Sequence, residues 1–170
     1  MMLDLLHKWS PIATLLLLLG LIGGCNETKP TSDASRKEKT LALNGLILDA
    51  QSGIVDVYAG FYDSLYLLPV NDLVVKHRNL ELLIQDATDQ ILSTGPASPD
   101  SLLFKAGLDL LHQYDSLVAG EVWDMLLIVE TYQLYGVLDT EQLLSLRDSV
   151  VIKERLAIRA WEAAQERVER

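Results

Sequence analysis

Residues 71–91 read NDLVVKHRNLELLIQDATDQI and carry the clearest structural signal in the chain. Their inward side chains recur at alternating intervals of four and three residues: Leu73, His77, Leu80, Ile84, Ala87 and Ile91. That alternation places all of them on one face of an α-helix, as the seam of a helical bundle requires. Asn71 precedes the pattern and is the predicted N-cap, because its side chain can accept a hydrogen bond from the first turn.

Proline and glycine residues divide the sequence on either side into further helical segments. Breaks at Pro69, at Gly95 and Pro96, and at Gly136 predict helices over about residues 42–67, 71–93, 98–135 and 139–168. Short connections make successive helices antiparallel neighbours. The sequence therefore predicts an all-α domain over residues 41–170, folded as an antiparallel up-down-up-down four-helix bundle.

Local signals refine these helices. The third helix is unusually long, so a kink is expected at Ala119 and Gly120. The fourth helix begins at Asp139 or Thr140, because Asp139 and Gln142 have the spacing of a capping box. Glycines within helices cost stability relative to alanine, which suggests close helix contacts where they occur, namely at Gly53, Gly60 and Gly107.

Apolar positions in the first and last helices predict what each buries. The first has a stripe of Ile47, Ala50, Ile54, Val57, Phe61, Leu65 and Leu68. The last has a stripe of Leu143, Val150, Ala157, Trp161, Ala164 and Val168. Trp161 is expected inside the bundle, with Ala157 and Ala164 making room for its indole. Arg147 and Glu154 fall on the same stripe, and with His77 they form a candidate ligand-binding or structural polar cluster, since buried charges need partners.

The first 25 residues differ in kind from the rest. Thirteen residues, 12–24, are almost wholly apolar, which suits the core of a secretory signal better than a membrane-spanning helix of about 20 residues. The sequence LIGG followed directly by Cys25 resembles the lipobox of bacterial lipoproteins. This resemblance implies a signal peptide over residues 1–24, cleavage between Gly24 and Cys25, and attachment to the membrane through lipid on Cys25.

Residues 25–40 are predicted to be a lipidated cysteine followed by a disordered tether. Residues 26–40 contain no aliphatic side chain longer than alanine and mix charges with Ser, Thr and Pro, so they cannot bury a core. In the lipoproteins that this sequence resembles, an aspartate after the cysteine retains the protein at the inner membrane. Because Asn26 stands there instead, an outer-membrane location is expected in the bacterial envelope.

Charge and composition exclude several classes of function. The formal net charge is −10, which repels the phosphate backbone and argues against nucleic-acid binding. The single cysteine rules out an intrachain disulfide and a Cys-based zinc site. Di-iron bundles need two Glu-x-x-His pairs, and this domain has only one distantly similar pair, Asp109 with His112. No metal site and no cofactor are therefore predicted. Motifs of nucleophilic or hydrolytic catalysis are lacking, and the chain is predicted not to be an enzyme.

Three tyrosines repeat every four residues on the first helix, namely Tyr58, Tyr62 and Tyr66. These tyrosines have two interpretations. In the first, they form an aromatic platform for a sugar or a peptide. In the second, their rings are buried in the bundle and their hydroxyl groups reach water.

The closing pattern of the chain consists of Tyr114, Glu121, Glu154, Trp161, Ala164, Gln165 and Val168. It resembles a poorly characterised family of small bacterial lipoproteins folded as helical bundles, although Val168 stands where that family has an aromatic residue. The resemblance covers about residues 50–170. It implies a fold and an envelope location, and no catalytic residues.

Two functional hypotheses follow from these observations. The first is a non-enzymatic envelope lipoprotein that presents its acidic bundle to a protein or glycan partner. The alternative is a small-ligand or metal carrier with a cavity between the helices, lined by His77, Glu154 and the tyrosines. An enclosed pocket with converging polar groups would favour the carrier.

Overall fold

A computed structural model describes residues 32–95 and 101–169, and every regular element in these ranges is a helix. The elements are α1 Ser32–Ser64, α2 Val70–Thr94, α3 Ser101–Leu117, α4 Trp123–Tyr135 and α5 Thr140–Glu169. A π-helical turn, Val118–Val122, continues α3 into α4 without a loop, so these two helices form one interrupted helix. The described residues therefore form four helices, as predicted.

The predicted signal peptide, its cleavage site at Gly24 and the lipidation site at Cys25 lie outside the described residues. So do residues 26–31 of the predicted tether. None of the helices within the described ranges is both long enough and apolar enough to cross a membrane.

The first helix begins earlier than the sequence suggested. Residues 32–40 were expected to belong to a tether without regular structure, whereas α1 starts at Ser32. This segment contains Lys37, Glu38 and Lys39, which have high helix propensity and are exposed to water. An existing helix can be extended through such residues at little cost, because nucleation is the expensive step.

The two predicted caps have different outcomes. Asp139 Oδ1 accepts a hydrogen bond from the Gln142 amide at 2.9 Å, which confirms the cap of α5. Asn71 is not the cap of α2, because the helix begins at Val70 with Pro69 at the N-cap position. The Val70 amide donates instead to the Gln133 side chain at 3.0 Å, so a residue of α4 satisfies the open end of α2.

The core consists of one stripe from each helix. All six predicted stripe positions of α2 are buried, including His77. In α1, Ile47, Ile54 and Phe61 are buried, but Val57 is exposed and Tyr58 packs against the core in its place. Tyr58 lies four residues after Ile54 and three before Phe61, so it shares their face of the helix.

Helix α5 presents the face that its sequence predicts. Trp161 is 4% exposed and Ala164 is also buried, while Ala157 is half-buried against the core. Helix α3 packs along α5, and α2 packs against both α3 and α4.

One of the three predicted glycine positions leaves no room for a larger side chain. A Cβ atom on Gly107 would lie 2.5 Å from Cδ1 of the buried Ile47 side chain, so alanine would require that side chain to shift. At Gly53 the corresponding contact is an ordinary 3.9 Å, and at Gly60 nothing lies within 4 Å. The expectation of a close contact is therefore wrong for Gly60, whose carbonyl instead accepts the Ser64 hydroxyl.

Candidate functional site

A hydrogen bond between α3 and α5 joins Tyr114 to Glu154 in the interior of the bundle. The Tyr114 hydroxyl donates to Glu154 Oε1 at 3.0 Å. Burial raises the pKa of Tyr114, and the neighbouring Glu154 carboxylate raises it further by its charge and by accepting the phenolic proton. The hydroxyl therefore stays protonated and serves as a fixed donor to the carboxylate.

Tyr58 of α1 lies against the same group of side chains, but its hydroxyl is buried and has no hydrogen-bond partner. Burial, followed by the nearby Tyr62 and Glu154, raises the pKa of Tyr58 to about 12, against a small opposing effect of Arg147. The interpretation in which the tyrosine rings are buried and their hydroxyl groups reach water is therefore wrong for Tyr58, because its hydroxyl does not reach water. Tyr66 is exposed.

Alkaline pH is expected to destabilise the fold through these two tyrosines. The folded-state pKa of Tyr58 is about 12, above the ordinary value of about 10, so its contribution to stability is complete below pH 10. That contribution is lost as the pH rises from about 10 through about 12. Urea unfolding at a series of pH values should show this decline, and Tyr58→Phe should make it shallower. Tyr135→Phe, at an exposed position, is the control. An equal decline in Tyr58→Phe and in the unchanged protein would contradict the prediction.

The cavity beside these tyrosines is very small. It has a volume of about 10 Å³ and is lined by Tyr58, Tyr114 and Glu154 together with apolar side chains. One water molecule needs about this much space, so no organic ligand fits there. Two of the residue types proposed to line a carrier cavity, the tyrosines and Glu154, do come together, but they enclose no room for a cargo.

Arg147 was expected to join Glu154 on the buried stripe, and this expectation is wrong. The Arg147 side chain is 47% exposed, and its guanidinium carbon lies 5.7 Å from the centre of the Tyr62 ring. The ring of Tyr62 occupies the space beside α5, so the long side chain runs over it and keeps its charge in water.

His77 belongs to a different place in the bundle. Its Nε2 atom lies 3.0 Å from the carbonyl oxygen of Val118 in the π turn, and since a carbonyl only accepts, Nε2 carries the proton. Its ring meets the Trp123 ring edge-on at 5.1 Å between centres, and its Nδ1 atom is 3.9 Å from Glu81. The structure therefore does not bring His77 into one cluster with Arg147 and Glu154, and its partner is the backbone of the interrupted helix.

The opposite side of the π turn is held by α5. Glu121 accepts hydrogen bonds from Ser149, at 3.0 Å, and from the Lys153 ammonium group. Burial alone would raise the pKa of Glu121, but the hydrogen bonds from Lys153, from the backbone and from Ser149 hold it below its usual value. Val118–Val122 is thus fastened on one side by a histidine and on the other by a carboxylate.

The predicted absence of a metal site can be compared only with the described ranges. Among residues 32–95 and 101–169, no three His, Cys, Asp or Glu side chains are close enough to hold one ion. Asp109 and His112 are both exposed on α3.

An exposed apolar surface lies at the end of the bundle formed by the α1–α2 and α4–α5 connections. Gln133 ties the two connections together, donating to the Leu68 carbonyl at 2.9 Å and accepting from the Val70 amide. The neighbouring large apolar side chains point to solvent, and the exposed fraction reaches 80% at Leu67 and 76% at Tyr135. We call this surface the apolar tip and define it by Tyr66, Leu67, Tyr132, Leu134, Tyr135 and Val137.

The two chain segments that form the tip are acidic, and the Arg147 guanidinium of α5 lies beside them, against Tyr62. Residues 61–72 and 130–141 contain Asp63, Asp72, Glu130, Asp139 and Glu141, and neither segment contains a lysine or an arginine. The sequence analysis named Tyr66 as part of a possible aromatic platform but not the other five residues, because a sequence does not show whether apolar residues near helix ends are covered. Single exposed apolar residues are normal, whereas several together at one end mark a candidate binding surface.

The residues of the closing sequence pattern mostly take structural roles. Tyr114 binds Glu154, Glu121 binds α5, and the Gln165 side chain donates to Asn44 of α1. The side chain of Val168 lies outside the described residues. Comparisons with protein-family models, with curated proteins and with solved structures find no match to this chain.

Proposed function

We propose that this chain is a non-enzymatic lipoprotein of the bacterial cell envelope that binds a partner protein through its apolar tip. The lipobox-like sequence before Cys25 supports the anchor, and Asn26 supports an outer-membrane location. The exposed apolar tip is the observation that carries the binding function. Such a cluster costs solubility, and in soluble domains it commonly marks an interaction surface.

The proposed architecture is an antiparallel up-down-up-down bundle, and three sets of contacts support it. Asn44 contacts Gln165 and Tyr62 contacts Arg147, so residue numbers increase along α1 in the direction in which they decrease along α5. Val70 with Gln133, and His77 with Trp123, have the same relation between α2 and α4. Tyr114 with Glu154, and Glu121 with Ser149, relate the third helix to α5.

In that arrangement the tip lies at the end of the bundle away from the contact of Asn44 with Gln165. A helix as long as α5, with 30 residues at about 1.5 Å each, spans roughly 45 Å. A tether on the N-terminal side of α1 would then leave the tip accessible to a partner.

The charge around the tip indicates the chemistry of that partner. With five carboxylates and no cation in its two segments, the surface attracts a protein that combines lysine or arginine with apolar side chains. The same charge repels an anionic membrane surface. A protein partner with a basic, partly apolar face is therefore the proposal, and a glycan is the competing result.

The test of partner binding uses the full chain in its native membrane. Leu67→Ser combined with Tyr135→Ser removes the two most exposed side chains of the tip. Leu41→Ser combined with Leu92→Ser is a matched control, because these leucines are also exposed and lie outside the tip. Chemical crosslinking followed by purification should recover one basic protein with the unchanged chain and with the control, and not with the tip variant.

Binding should then be measured with the purified partner. We expect the tip variant to bind at least about tenfold more weakly, since buried anchor residues dominate such interfaces. Salt should also weaken the binding of the unchanged chain, because exposed charges are screened. Equal binding by the tip and control variants would refute the role of the tip. Recovery of a polysaccharide in place of a protein would refute the proposed class of partner.

The anchor has its own test. A Cys25→Ser variant should lose membrane association and keep its fold, because Cys25 precedes residues 41–170, which carry the predicted bundle. Two or more acyl chains anchor a protein durably, whereas one gives marginal binding. Membranes washed with sodium carbonate should retain the unchanged chain and release the variant, with circular dichroism as the check on folding. Equal retention of both proteins would contradict lipidation at Cys25.

A further inference from the structure

A groove with a volume of about 640 Å³ runs along the surface between α3 and α5. Its shape follows from the size of the side chains along it. Ala106 on α3 and Ala157, Ala160, Ala163 and Ala164 on α5 all line it. Alanine fills little of the space between two helices, so the groove stays open where larger side chains would close it.

Longer apolar side chains form the walls of the groove. Leu102 and Leu110 contribute from α3, and Leu156 contributes from α5. Leu102 and Leu156 are exposed, so they present hydrocarbon to whatever enters the groove. The surface between the two helices is therefore suited to an elongated apolar group.

The rim of the groove has a charge opposite to that of the domain. Residues 41–170 contain 20 acidic and 9 basic residues, a formal charge of 9 − 20 = −11. Three of these bases, Lys105, Lys153 and Arg167, line the groove, beside a single carboxylate, Asp109. Lys153 is already bound to Glu121. Lys105 and Arg167 therefore define a cationic end of the groove.

Trp161 lies beside the groove. The indole lines the groove and is 4% exposed, so its ring packs in the bundle close to anything that enters. Its fluorescence therefore reports whether the groove is occupied.

We propose that this groove binds an anionic single-chain lipid, one acyl chain with a carboxylate head group. The chain lies along the alanines between α3 and α5, and the carboxylate lies at the end defined by Lys105 and Arg167. The apolar floor selects a hydrocarbon, and the positive rim of an otherwise acidic domain selects a negative head group. This site uses none of the tip residues, so it stands independently of the proposed partner binding.

The test uses the fluorescence of Trp161 in the full chain. The chain has three tryptophans, and Trp9 belongs to the proposed signal peptide, so Trp123→Phe leaves Trp161 as the single reporter in the processed chain. This protein is placed in phosphatidylcholine nanodiscs and titrated with brominated stearic acid, whose bromine atoms quench indole fluorescence on contact. The uncharged methyl ester of the same acid is titrated in parallel.

Substitutions on the groove separate specific binding from general contact with the bilayer. Ala160→Leu should raise the half-quenching concentration at least about tenfold, because the leucine occupies the floor of a packed site. Ala163→Leu is a second variant of the same kind, and both alanines are exposed, so the fold accommodates either change. The matched control is Ala59→Leu, at an exposed alanine of α1 outside the groove.

Charge variants test the head group. Lys105→Glu with Arg167→Glu should weaken quenching by the acid about fivefold or more, as expected for the loss of two exposed ion pairs. Arg155→Glu, on α5 and outside the groove, should leave it unchanged. The methyl ester should quench less than the acid with the unchanged groove and more than the acid with the charge variant, because the two glutamates repel a carboxylate. Equal quenching of the Ala59→Leu and Ala160→Leu proteins would overturn the site. Equal quenching by acid and ester would overturn the anionic head group.

Discussion

Trp161→Ala is expected to lower the free energy of unfolding by about 3–5 kcal/mol, the cost typical of removing a buried tryptophan. The indole is 4% exposed, and the neighbouring side chains on its own helix, Ala157 and Ala164, are too small to fill the space that it leaves. This loss is a large part of the roughly 5–15 kcal/mol that stabilises an ordinary domain. Urea unfolding followed by circular dichroism should show a lower midpoint with an unchanged slope.

Trp123→Ala is the matched control for Trp161→Ala. Trp123 is 39% exposed, so its truncation removes less buried surface and should lower the midpoint by a smaller amount. An unchanged midpoint in Trp161→Ala would contradict the burial of this face of α5. It would also mean that the indole is available as an exposed recognition residue.

His77→Ala is expected to cost about 2–4 kcal/mol, because it removes a buried ring and also the donor to the Val118 carbonyl. His77→Leu keeps most of the volume and loses the donor, so it should cost about 1–3 kcal/mol, the usual penalty for an unpaired buried polar group. Urea unfolding measures both costs. Amide hydrogen exchange should in addition show faster exchange in residues 118–122, since α2 no longer holds the π turn.

The second histidine in the described ranges provides the control. His112 is exposed on the outer face of α3, so His112→Ala should change stability by no more than about 0.5 kcal/mol. If His77→Leu is as stable as the unchanged protein, the hydrogen bond to Val118 does not stabilise the bundle.

The features of the fold that the sequence predicted correctly are those signalled by residues close together in the chain. The alternation in α2 specifies a buried face, and all six positions are buried. The spacing of Asp139 and Gln142 specifies a cap, and the hydrogen bond is present. The kink expected at Ala119 and Gly120 coincides with the π turn. Each of these signals depends on contacts within a few residues of the chain.

The errors occurred where a distant residue competes with a local signal. Asn71 is a residue type that commonly caps helices, but the Gln133 side chain of α4 accepts the hydrogen bond at the start of α2 instead. Val57 is more apolar than Tyr58, but Val57 is exposed and Tyr58 packs against the core beside Glu154 of α5. Arg147 lies on the stripe of α5, but the ring of Tyr62 fills the space that a buried side chain would need.

The candidate sites were less predictable than the fold. The closing pattern contains Tyr114 and Glu154, and they do form a pair, but nothing in their spacing states that α3 and α5 face each other there. The tip depends on whether apolar residues near helix ends are covered, which only the path of the connections decides. The groove depends on alanines, which indicate space only when both helices are seen together.

The π turn also makes the third helix tolerant of a change in length. Each residue added to a regular α-helix rotates everything after it by about 100°, so a one-residue insertion normally turns an apolar face out of the core. The π turn at Val118–Val122 contains one residue more than a turn of regular α-helix. Buried positions nevertheless continue on both sides of it, at Leu117 and at Met125. A chain shorter by one residue in this turn would keep the same inward faces of α3 and α4. Its main cost would be the hydrogen bond that His77 donates to the Val118 carbonyl, which the shortened turn would no longer present to α2.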